Sequence, residues 1–178
     1  MSSNMRAIVV MGVSGCGKTS VAMALCERIG AHLIEGDAFH PEQNIHKMKA
    51  GIALTDADRQ GWLEQLGQGL AQAVASNQIA VLTCSALKRR YRDALRAAVP
   101  NLGFVFLELP LAAAAERVGQ RPNHFMPVAL VDSQFRDLEP PTGEPHVLTV
   151  NGTDPLPVII DRTVAWWQAS SQIAAVGD

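Results

Sequence analysis

Lys18 and Thr19 close the stretch GVSGCGKT at positions 12–19, which fits the pattern Gly-x-x-x-x-Gly-Lys-Thr in full. Each part of that pattern has a physical job. Glycines let the backbone curl, so that the N–H groups of Gly12, Val13, Ser14, Gly15, Cys16 and Gly17 converge on an anion. The N-terminus of a following helix adds partial positive charge. Lys18 is placed to reach β- and γ-phosphates, and the Thr19 hydroxyl to ligate Mg²⁺. The apolar run AIVVM precedes the loop and a helical pattern follows, the setting that separates this motif from a chance glycine turn. The chemistry is the holding of the phosphates of a nucleoside triphosphate.

The remaining reactive side chains bear on where the phosphoryl group goes. A regulatory GTPase needs a DxxG after a strand and an NKxD. Asp58-Arg-Gln-Gly61 has the first spacing but lies in an amphipathic helix, and Asn151-Gly-Thr-Asp154 lacks the lysine of the second. A motor or AAA-type ATPase needs more chain and a strand ending in acidic residues, whereas the strand at 79–85 ends TCS. A small-molecule or nucleotide kinase remains. Asp37 closes the run HLIEGD, at the rim where open α/β sheets bind ligands. There it orients an acceptor hydroxyl or takes its proton; the alternative is a capping or Mg-water-binding carboxylate. Arg117 and Arg121 flank the loop RVGQRPNHFM, as lid arginines over phosphates or as a solvated helix end.

These residues need a scaffold. Short apolar runs at 7–11, 32–37, 79–85, 103–109 and 146–150 read as strands, with helical patterns between them and after the last. Trp62, Leu66, Leu70 and Val74 recur every fourth residue in a helix over 55–74, opened by a Thr55/Asp58 capping box. Gly67 and Gly69 inside it predict close packing. The alternation predicts a parallel five-stranded sheet covered on both faces, a three-layer α/β/α sandwich. The whole chain, 1–178, reads as one kinase domain with a small lid at about 117–127.

Composition narrows the setting. Fifteen Lys+Arg against seventeen Asp+Glu give a net charge of −2, without the basic excess of a nucleic-acid binder. Lys88, Arg89, Arg90, Arg92 and Arg96 nevertheless cluster, and Arg90, Arg92 and Arg96 read as a mixture of solvated and fold-bracing residues. Three cysteines without metal-ligand spacing fit a reducing compartment. His40, His46 and His124 lack zinc spacing, so no structural metal is expected. No stretch is long enough to span a bilayer, and the reading is a cytoplasmic protein with neither membrane nor nucleic acid as partner.

The segments GVSGCGKT, GDAFHPEQNIHKMKAGIALTDADRQGWL, CSALKRRYRDALR, FVFLEL and RPNHFMPVALVDSQFRDLEPP, in this order, resemble the gluconate kinase family of P-loop sugar-acid kinases. The glycine loop is shared with many proteins; the second and third segments are far more specific. Cys16 stands where serine is commoner in that family, and Ala53 where proline is usual. The resemblance implies the nucleoside-monophosphate-kinase-like branch of the P-loop fold. It also implies ATP-dependent phosphorylation of D-gluconate and, often, a homodimer. Beside that implication, a gluconate carboxylate calls for a bidentate arginine. Arg59 and Arg89 are the candidates, with Lys88 beside them and His40 as a donor to a substrate hydroxyl. The alternatives are a surface pairing of Arg59 with Asp56 or Glu64, a solvated face for Lys88 and Arg89, and a structural His40. Kinases of other aldonates, shikimate or nucleoside monophosphates, and a non-catalytic nucleotide-binding protein, stay open at this point.

Overall fold

The computed structural model describes residues 4–120 and 129–173. The elements run β1 (Ala7–Met11), α1 (Lys18–Ile29), β2 (His32–Glu35), a 3₁₀ turn (Gly36–Phe39), α2 (Glu42–Lys49), α3 (Asp56–Ala75), β3 (Ala80–Thr83), α4 (Arg89–Ala98), β4 (Gly103–Glu108), α5 (Leu111–Gly119), α6 (Ala129–Asp137), β5 (Val147–Asn151) and α7 (Leu156–Ile173). The five strands form one parallel sheet in the order β2-β3-β1-β4-β5. Strand β1 is central and fully buried, which is why its sequence is apolar on both faces.

The period-two geometry of a strand sends alternate side chains to opposite layers. Ile8, Val10, Val105 and Leu107 meet Val21 and Leu25 of α1 and Ile159, Ile160 and Val164 of α7. Val9, Met11, Leu82, Phe104 and Phe106 meet Trp62, Leu66 and Leu70 of α3 and Tyr91 and Leu95 of α4. The result is the expected three-layer α/β/α sandwich.

The Thr55 capping box is present in full: Thr55 Oγ1 accepts from the Asp58 amide, and the Asp58 carboxylate accepts from the Thr55 amide. Gly67 lets α3 and α4 approach, since a Cβ there would sit 2.9 Å from that of Ala98. Gly69 differs from the expectation: its Cβ would meet Ile34 at an ordinary 3.8 Å. The run 32–37 also differs. The strand stops at Glu35, and Asp37 stands inside the 3₁₀ turn rather than on the strand. Two side-chain ties hold the chain just past the strand's end. The Gly36 amide donates to Thr83 Oγ1 at 3.1 Å, and Trp62 Nε1 donates to the Gly36 carbonyl at 2.8 Å. A Cβ on Gly36 would collide with the Thr83 carbonyl, so only glycine permits this approach.

The basic cluster divides. Arg92 is fully buried, pairs with Glu144 at 2.6 Å, and donates to the carbonyls of Ala86, Leu87 and Glu139. Arg96 reaches the same carboxylate at 2.9 Å. Together they clamp the turn-rich connector between α6 and β5 onto α4. Burial alone would raise the Glu144 pKa, but the hydrogen bonds from Arg92 and Arg96 outweigh it and hold it below the ordinary 4.5. A depressed carboxylate contributes stability that is intact above its unfolded pKa and is lost as pH falls through the folded one. Glu144→Ala, which strands a buried guanidinium, is expected to cost about 3 kcal/mol. For a chain of this size that lowers Tm by about 6–12 °C in a thermal melt at neutral pH, and by less under acid conditions.

Candidate active site

The glycine loop leaves the carboxyl end of β1, where the chain order of the sheet reverses, the position at which open α/β sheets bind ligands. Gly15 adopts φ +82°, and a Cβ there would lie 2.9 Å from the Ala114 carbonyl. Lys18 opens α1 and turns its ammonium back over the loop, donating to the carbonyls of Gly12 at 3.0 Å and Val13 at 3.1 Å. The Ser14 amide donates to Gln134 Oε1 of α6 at 2.6 Å. Arg117, near the end of α5, donates to the carbonyls of Gly15 at 3.4 Å and Gly152 at 3.2 Å, joining the loop to the turn after β5. Cys16 is buried, with its Sγ 3.9 Å from Lys18 Nζ.

Thr19 is exposed, and its hydroxyl donates to Glu35 Oε2 at 3.4 Å. The same carboxylate oxygen accepts from Thr83 Oγ1 at 2.6 Å. Glu35 is therefore the acidic group beside the Thr19 hydroxyl. It comes from the end of β2, not from β3, where the sequence offered none. Among the described residues no group of three or more His, Cys, Asp or Glu forms a cage for a metal. A hydroxyl with one adjacent carboxylate suits a magnesium ion that arrives with a nucleotide and keeps much of its water.

Asp37, His40 and Arg59 line one cleft with Ser14 and Lys18. The 3₁₀ turn after β2 and helix α3 build this wall. The turn carries Asp37. His40 packs flat on Trp62 of α3, ring centroids 4.0 Å apart and planes 15° apart, with Nε2 4.0 Å from Asp37 Oδ1. Arg59, one helical turn before Trp62, is buried and donates to the Tyr91 hydroxyl at 2.9 Å. It does not pair with Asp56 or Glu64 at the surface. Leu130, Ser133 and Gln134 of α6 close the opposite side.

Burial lowers the His40 pKa to about 4, with Asp37 opposing the shift and Arg59 adding to it. The imidazole is thus neutral near pH 7. Asn44 donates one amide hydrogen to the Asp58 carbonyl at 2.9 Å and lies 3.4 Å from His40 Nδ1. With Asn44 as donor, Nδ1 accepts and the ring proton sits on Nε2, facing Asp37 and the cleft. Nitrogen-resolved NMR of the imidazole is expected to show this tautomer, with no titration above about pH 5. Between pH 6.5 and about 4 the unfolded chain takes up a proton that the folded chain refuses, so His40 makes stability fall as pH drops through that window.

Lys88 and Arg89 lie off this wall. Lys88 pairs with Asp56 at 3.1 Å, and that hydrogen bond raises its pKa. Arg89 is exposed and pairs with Asp93 of its own helix at 3.7 Å. Arg121, and most of the proposed lid, lie outside the described residues. Sequence reasoning missed Glu35, Gln134 and Tyr91. Glu35 carried a usable signal, a carboxylate at a strand end two residues before Asp37. Gln134 carried none, because nothing local ties it to a loop 120 residues away.

A glycine loop at the sheet's switch point, facing an acidic and a basic side chain across one cleft, defines a P-loop kinase. Residues 8–141 match the family described as AAA domain, from β1 to the connector after α6. The match corrects the exclusion of an AAA-type domain drawn from sequence, although β3 ends at Thr83, with Cys84 after it, and lacks the carboxylate expected there. It is 44% identical to a gluconokinase of Gluconobacter oxydans over 164 residues, 92% of each chain. It is 38% identical to the thermoresistant gluconokinase of Escherichia coli, over 88% of this chain and 90% of that one. A crystal structure of a gluconokinase from Sinorhizobium meliloti superposes with a TM-score of 0.86 at 43% identity, covering 98% of this chain and 99% of that one. The chain belongs to the gluconokinase family.

Proposed function

We propose that this protein transfers the γ-phosphoryl group of ATP to the 6-hydroxyl of D-gluconate, giving ADP and 6-phospho-D-gluconate. The observation that carries the reading is that Asp37, His40 and Arg59 share one cleft with Ser14 and Lys18 of the phosphate loop. The new bond joins O6 to the γ-phosphorus as the bond to the β,γ-bridging oxygen breaks. The hydroxyl proton leaves to Asp37 or, through it, to solvent. Thr19, with Glu35 beside it, would hold Mg²⁺, which would supply neutralisation of phosphate charge.

The chain's own residues do the positioning. Lys18 exchanges the loop carbonyls for phosphate oxygens. Asp37 orients O6 in line with the γ-phosphorus; it need not be a strong base, because proton transfer is late in a loose transition state. His40 Nε2–H donates to a neighbouring hydroxyl of the sugar acid. Arg59 takes the carboxylate, in preference to Lys88 and Arg89, whose charges are engaged elsewhere. Arg117 and Arg121 meet phosphate charge from the lid side. We take the working form to be a cytoplasmic homodimer. Among the described residues no helix is long and apolar enough to cross a membrane.

The test is ADP release with MgATP and a panel of acceptors: D-gluconate, idonate, shikimate, glucose and AMP. Turnover with gluconate above all others is the expected result. Turnover with another acceptor and none with gluconate would keep the phosphate loop and reject the acceptor pocket.

A further inference from the structure

Arg59, which lines the cleft, is tied to α4. Its NH1 donates to the hydroxyl of Tyr91, the third residue of α4, at 2.9 Å, and its guanidinium carbon lies 5.2 Å from the centre of the Tyr91 ring. The phenol has one proton, and that proton goes to Asp56, the first residue of α3. With the proton committed, a lone pair of the phenol oxygen must face Arg59. Asp56 is itself fixed from two further sides, by Lys88 at 3.1 Å and Arg90 at 2.8 Å. The Tyr91 hydrogen bond, and then that from Lys88, lower its pKa, so it stays an acceptor.

Asp137 at the end of α6 rests 3.8 Å from Arg59 NH1, a carboxylate already drawn to this guanidinium. Among the described residues, the one hydrogen bond of the Arg59 guanidinium is the Nη1 bond to Tyr91. Arg59 also lines the cleft it shares with Lys18, Asp37 and His40, where an acceptor would sit. An arginine stem is long and has many rotamers, so fixing one corner in advance removes much of the entropy that binding would otherwise cost.

We propose that Tyr91 is a positioning residue: held by Asp56, its hydroxyl presents Arg59 to the carboxylate of the acceptor. The inference rests on the reading of Arg59 as the carboxylate's partner. It explains why a segment that reads as a basic helix matters to the acceptor without touching it. Lys88 and Arg90 hold Asp56, Asp56 holds Tyr91, and Tyr91 holds Arg59.

Tyr91→Phe keeps the ring and removes only the hydroxyl. The expected result is a rise of about tenfold in KM for D-gluconate, with KM for ATP moved less than about twofold. Asp56→Asn, which keeps shape but weakens the anchor, should move gluconate KM in the same direction by less. Arg59→Ala should raise gluconate KM by more than either, and adding Tyr91→Phe to it should cost nothing further, since the two residues act as one unit. A Tyr91→Phe enzyme with a lower Tm and both KM values unchanged would make Tyr91 merely structural and overturn the inference. So would fully additive effects in the double variant. A gluconate KM unmoved by Arg59→Ala would overturn the reading of Arg59 beneath it, and the inference with it.

Discussion

Asp37→Asn is expected to lower kcat with gluconate by about 10²-fold or more, while KM for ATP moves less than about twofold. The argument is geometric. Asp37 stands on a 3₁₀ turn whose first residue is pinned to Thr83 and Trp62, and its carboxylate lines the cleft opposite Lys18. It makes no contact with the loop amides that would hold a nucleotide. Asparagine keeps the size and one acceptor oxygen but loses the charge that fixes a hydroxyl hydrogen. Steady-state kinetics at saturating ATP read the effect directly. A near-normal kcat would remove Asp37 from the acceptor site and return it to the capping or metal-water role.

Lys18→Ala is expected to be as damaging, by about 10²–10³-fold in kcat, with weaker ATP binding as well. Lys18 Nζ already lies within hydrogen-bond reach of the Gly12 and Val13 carbonyls, at the mouth of the loop and on the wall of the cleft. Phosphate oxygens are better acceptors for an ammonium than neutral carbonyls, and charge grows on them as the bond breaks. The loss therefore falls on both ground-state binding and the transition state. The fold should survive, because Lys18 is half-buried and braces only its own loop. A melt that matches the wild type beside the lost turnover would separate chemistry from collapse.

Local signals carried most of the fold. The strands announced themselves as short apolar runs, and the Thr55/Asp58 box marked the start of α3 to the residue. The glycine loop was legible because its chemistry is consecutive in sequence. What failed to show was anything decided across the sheet. Nothing in HLIEGD says that Glu35 ends the strand and that Asp37 turns away; that is set by Thr83 and Trp62, which are distant in sequence. In the basic run at 88–96, Lys88 and Arg89 invited a reading as substrate contacts but pair with Asp56 and Asp93, while Arg92 is a buried brace, one of the roles read for Arg90, Arg92 and Arg96. Arg59 carried two readings, a partner for the acceptor carboxylate and a surface pair with Asp56 or Glu64. It sits in a helix whose charged neighbours suggest a surface pair, yet the turn of α3 places it inward beside Tyr91.

The most direct measurement is the structure of the product. The enzyme would be incubated with MgATP and D-gluconate, and the phosphorylated product assigned by ³¹P–¹H correlation NMR. Phosphorus coupled to the two protons on C6, appearing in step with ADP, is the predicted result. ADP formed without a phosphorylated sugar acid, or phosphorus attached at any other carbon, would contradict the account.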